Sequence, residues 1–108
     1  LLNDTQFVEA SLFLGQRMLK EGGETLLEQI QFVFRLTTGR RPTEKEIEIL
    51  KKLYQQQRRI FEANPDQAEK LLAIGEKERD PSLPSTQVAT ATTVASTMLN
   101  FDDTITKR

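Results

Sequence analysis

Helix punctuation constrains this chain more than any other feature. Thr25 stands three residues before Glu28, and Thr43 three before Glu46. At that spacing a hydroxyl and a carboxylate close reciprocal hydrogen bonds over a helix N-terminus. Gly22-Gly23 precede the first pair, and Gly39 and Pro42 precede the second. Glycine stops a helix because it takes left-handed backbone without a Cβ clash, and proline bars the residue before it from helical conformations. Asn64-Pro65 marks another boundary, a cap followed by proline at the first helical position, where no N–H is needed. A chain divided in this way is a series of short helices.

The apolar spacing between these marks agrees. From Asn3 or Asp4 a first helix places Phe7, Val8, Ser11, Leu12, Leu14, Met18 and Leu19 on one broad face. The second carries Leu27, Ile30, Val33, Phe34 and Leu36, with Phe32 off the stripe. It is apolar over much of its circumference and is expected to be the central helix. The third buries Ile47, Leu50, Tyr54 and Phe61, flanked by Ile49, Leu53 and Ile60, and leaves Lys45, Lys51, Gln55, Gln56 and Arg59 to solvent. A short fourth helix follows Pro65 through Ala68, Leu71, Leu72 and Ile74 to Gly75. Glu76 to Pro84 form the longest loop, because Asp80-Pro81 and Leu83-Pro84 oppose helix. Ser85 or Thr86 then caps a last helix. Its threonines have strand propensity, but Val88, Ala91, Ala95, Met98 and Leu99 keep helical spacing. The expected fold is all-α: a compact bundle of about five helices at mixed angles, with a long loop before the last helix, forming one domain over residues 1–108.

Composition bears mainly on function. Cysteine and histidine are absent, so disulfides, thiol chemistry, imidazole acid–base catalysis and the usual zinc ligands have no residues in this chain. No catalytic centre, cofactor site or metal site is expected. A net charge of −1 with 29% charged residues lacks the basic footprint of a nucleic-acid binder, and no apolar run is long enough for membrane insertion. The chain opens at Leu1 without a charged-then-apolar leader. We expect it to be the C-terminal fragment of a larger protein, with any targeting segment upstream.

Two groups of polar residues are the candidate sites. Arg40 and Arg41 follow the end of the second helix, where cations oppose the helix dipole and where a displayed pair can also take an anion or a partner; Arg79 in the long loop joins them. Asn100, Asp102, Asp103 and Thr104 gather oxygen atoms near the end of the last helix, with Arg35 or Arg40 as prospective partners. They lack the spaced acids, central glycine and distal glutamate of a calcium loop, so helix-end polarity accounts for them better than metal binding. Glu44, Glu46 and Glu48, two apart on a helix, point in different directions and cannot share a substrate.

Four stretches taken in order, LLNDTQFVEA (1–10), FRLTTGRRPTEKE (34–46), GEKERDP (75–81) and TMLNFDDTITKR (97–108), resemble the C-terminal portion of the planctomycete PSD domain. This is a family of unknown function. The resemblance implies a bacterial, periplasmic or otherwise extracytoplasmic protein whose upstream modules are cytochrome-c-like (PSCyt) domains, with haem as their cofactor. The haem attachment motif Cys-x-x-Cys-His is missing here, so no haem-binding residue is transferred to this chain. The expected role is a non-catalytic structural or interaction module, with upstream domains of the same polypeptide and envelope proteins as partners. The alternative is an accessory domain that completes an enzyme or a sugar- or anion-binding site with those modules.

Overall fold

Both Thr–Glu pairs close as capping boxes in a computed structural model of the chain, which describes residues 5–74 and 80–106, the last six as helical backbone only. Thr25 Oγ1 accepts from the Glu28 N–H at 3.2 Å, and Glu28 Oε1 accepts from the Thr25 N–H at 3.1 Å. The Thr43–Glu46 box is tighter, at 3.1 and 2.8 Å. Five helices result: α1 (Thr5–Glu21), α2 (Leu26–Thr38), α3 (Glu44–Ala63), α4 (Pro65–Ile74) and α5 (Ser85–Thr106). No strand occurs among the described residues. Gly39 ends α2 with φ at 76°, and its N–H caps the Arg35 carbonyl at 2.9 Å. The expected caps of α1, Asn3 and Asp4, lie outside the described residues.

The central helix is α5, which corrects the expectation for α2. α5 packs against all four other helices, most extensively against α1. Val88, Ala89, Thr90, Ala91, Thr92, Val94, Ala95, Ser96 and Met98 are all buried, so its circumference rather than one stripe is enclosed. Small side chains let neighbouring backbones approach on every side. Of the two buried threonines, Thr90 bonds its Oγ1 to Thr86 O at 2.7 Å, while Thr92 Oγ1 has no partner among the described residues; half-buried Thr93 and Thr97 bond to Ala89 O at 3.0 Å and Thr93 O at 3.2 Å. α2, by comparison, is buried along one stripe. Ile30, Val33 and Phe34 are buried while Leu27 and Leu36 stay exposed.

Two clusters form the core around α5. The larger joins Met18, Ile30, Phe34, Leu50, Tyr54 and Met98 from α1, α2, α3 and α5. The smaller joins Leu12, Phe61, Ala68, Leu72 and Val88, bringing in α4, with Leu83 of the preceding loop packed against it. Leu19 touches both. The radius of gyration, 13.0 Å, is that of a packed globule of about 100 residues. The described part of the long loop is anchored to α1: the Asp80 N–H donates to Gln16 Oε1 at 2.7 Å, and Lys20 Nζ pairs with Asp80 Oδ2 at 2.9 Å. Asp80 thus serves as a loop anchor.

Candidate functional site: the outer face of α1 and α2

The apolar face expected for α1 is covered. Val8, Leu12 and Met18 are buried and Phe7 is half-buried. The aromatic residue left outside is Phe13, at 61% exposure, on the opposite side of the helix from Leu12 and Met18. It stands between two shallow grooves, one of about 460 Å³ with Gln6, Glu9 and Ala10, the other of about 360 Å³ with Gln16, Arg17 and Lys20. Arg17 connects this ring to α2. Its guanidinium lies 5.7 Å from the Phe13 centroid and 5.4 Å from that of half-buried Phe32. Glu21, one turn on, fixes it through bonds of 3.2 and 3.1 Å. A cation over exposed rings contributes about 0.5–1 kcal/mol each. Its structural effect here is to bring two aromatic rings from different helices beside one planar charge.

Next to Phe32, a cleft of about 360 Å³ is lined by Glu28, Gln31, Phe32, Arg35 and Arg41. Residues 28, 31, 32 and 35 fall on one side of α2 by helical spacing, while Arg41 enters from the corner after Gly39. Neither Arg35 nor Arg41 is in an ion pair among the described residues.

The sequence candidates fare differently. Arg40 is engaged: Nη1 donates to Glu46 Oε1 at 2.9 Å and Nη2 to Oε2 at 2.8 Å, and the guanidinium lies 4.9 Å from the centroid of buried Phe34. The Arg40 guanidinium, with help from the Thr43 N–H, holds the Glu46 carboxyl well down, at about 2. Arg41 is exposed and lines the cleft. Arg79 lies outside the described residues. Asn100 is half-buried on α5, which continues to Thr106; the side chains of Asp102 and Asp103 lie outside the described ones, so the expected polar cluster has no described geometry. Among the described residues no group of three or more acidic, histidine or cysteine side chains is arranged to hold a metal ion, and no helix is long and apolar enough to cross a membrane.

Sequence reasoning missed Phe13, Arg17 and Phe32 as a surface feature. Their signal was available: Phe13 is absent from the buried stripe of α1 and Phe32 falls off that of α2, and both sit within reach of an arginine on a neighbouring turn.

A family model described as PSD1, protein of unknown function (DUF1553), matches residues 1–54. The match spans α1, α2 and the first half of α3, and with them Phe13, Arg17, Phe32 and the whole cleft. Of the four stretches that carry the resemblance in sequence, the first two lie inside it. No curated protein and no solved structure gives a significant match.

Proposed function

The chain belongs to the PSD1 family of proteins of unknown function, and from that premise we propose that it is a non-catalytic structural or protein-interaction module of a larger bacterial, envelope-associated protein. The observation that carries this reading is the seating of Arg17 over both Phe13 and Phe32 on the outer face of α1 and α2. Aromatic residues and arginine are enriched at protein interfaces: a ring buries large area with few rotatable bonds, and a guanidinium presents several donors on one planar group. A phenylalanine 61% exposed, held beside a fixed guanidinium, is such an anchor without its pocket. The partners that the sequence resemblance favours are upstream modules of the same polypeptide, cytochrome-c-like and haem-bearing, in an extracytoplasmic compartment.

Hydroxyl-radical footprinting tests the reading. Phe13 should oxidise readily in the 108-residue chain and be protected in the longer parent polypeptide, while buried Phe34 is protected in both. Equal oxidation of Phe13 in the two would contradict it.

A second reading, an accessory domain that completes an enzyme or a sugar- or anion-binding site, is favoured by one observation: Arg35 and Arg41 share a cleft and are unpaired among the described residues. Loss of the parent polypeptide's ligand binding on Arg41→Gln would support it, and unchanged binding would remove it.

A further inference from the structure

We propose that the cleft between Arg35 and Arg41 binds an acidic side chain of an extended peptide segment, whose apolar neighbour lies on Phe32. The inference rests on the interaction-module reading and names the chemistry of the partner. Three features support it.

First, the two arginines are presented by fixed backbone. The Arg35 carbonyl accepts from Gly39 N–H at 2.9 Å, and the Arg41 carbonyl accepts from Arg40 Nη1 at 3.2 Å. Arg40 is itself held by both oxygens of Glu46 and by the Phe34 ring. Arg40 therefore acts as a positioning residue, and the guanidinium donors left unpaired among the described residues belong to Arg35 and Arg41. Both arginines line one cleft, and a guanidinium can pair with a carboxylate through two parallel N–H donors.

Second, the cleft changes charge from one end to the other. Glu28 and Arg35 are seven residues apart on α2, roughly 10 Å along the axis, with Gln31 and Phe32 between them. Glu28 stays ionised because Oε1 accepts from the N–H groups of Glu24 and Thr25, both at 3.1 Å. A polyanion such as polyphosphate or nucleic acid, laid along the cleft, would bring charge against this carboxylate. A peptide places one negative charge at the arginines and amide N–H groups toward Glu28.

Third, Phe32 and Gln31 suit a peptide in the middle of the cleft: an apolar ring for a side chain, and an amide able to donate and accept along a backbone.

The test uses the 108-residue chain, isotopically labelled, titrated with the capped tripeptide acetyl-Leu-Asp-Leu-amide and followed by amide and arginine Nε–Hε resonances. The expected result is saturable shifts confined to Gln31, Phe32, Arg35 and Arg41, lost with the Asn analogue, and about tenfold weaker binding in Arg35→Gln and Arg41→Gln variants that keep wild-type spectra. Both side chains are exposed, so those variants retain the core. Equal shifts with the Asn peptide, shifts elsewhere, or tighter binding of polyphosphate than of the Asp peptide would overturn the proposal. Phe13 protection is read separately: if the peptide fails while Phe13 remains protected in the parent polypeptide, the cleft assignment falls and the docking face stands.

Discussion

Gly15 of α1 lies so close to Thr92 of α5 that a Cβ at position 15 would stand 2.8 Å from the Thr92 nitrogen and 2.9 Å from its Cα. The obstacle is backbone, which cannot swing aside. Gly15→Ala should gain at most about 1 kcal/mol of helix propensity and lose more by forcing the most extensive helix pair apart, for a net destabilisation of about 2 kcal/mol. Thermal unfolding should fall by roughly 10 °C. An unchanged or raised Tm would mean that the two helices separate freely.

A substitution by alanine four residues earlier should have the opposite sign. Ser11 is fully buried and its Oγ has no hydrogen-bond partner among the described residues, so folding strips water from a hydroxyl without replacement. Ser11→Ala removes that cost and improves helix propensity, raising stability by about 1 kcal/mol. Urea unfolding reads both variants on one scale.

The two aromatic residues that bear on function and fold separate cleanly. Phe34 is fully buried in the larger cluster, and Phe34→Ala should cost about 3–5 kcal/mol, enough to unfold much of a domain this size. Phe13→Ala removes an exposed ring and one contact with Arg17 and should change stability by no more than about 1 kcal/mol. Circular dichroism melts of the pair distinguish a core residue from a surface anchor.

Acid should weaken the corner between α2 and α3 and the anchor of the long loop. Glu46 falls from an ordinary 4.5 to about 2 on folding, chiefly through the hydrogen bonds from Arg40. Asp80 is held well below its ordinary 3.8 by Lys20 and by the Ser82 hydroxyl and N–H. Both are depressed carboxylates, so their contribution is full above the unfolded values and is lost as pH falls through the folded ones. Chemical denaturation should show stability declining between about pH 4.5 and pH 2, and Glu46→Gln should flatten that decline. An equally steep decline in the variant would detach Glu46 from the effect.

Much of this architecture is legible in the sequence because it is written in local chemistry. Thr25–Glu28, Thr43–Glu46 and Gly39 act within a few residues of themselves, so their roles need no tertiary information. α5 was legible as a helix but not as the central one. Val88, Ala91, Ala95, Met98 and Leu99 read as one face, whereas the burial of Thr90 and Thr92 outside it follows from how closely four other helices approach. Gly15 carried a usable sign, a glycine inside a helical pattern, which is tolerated where another backbone must come near. The pairing of Arg40 with Glu46 crosses the corner and uses up the residue that looked displayed, whereas Arg41 and Arg35, from two sides of the same turn, were brought to one cleft only by the path of the chain after Gly39.

The proposal that Phe13 and its arginine form a docking face for upstream modules of a longer polypeptide is tested most directly by calorimetric titration of this chain against those modules. Saturable binding, weakened at least about tenfold by Phe13→Ala with the melting curve unchanged, is the predicted result. Absence of binding, or equal affinity for wild type and Phe13→Ala, would contradict it.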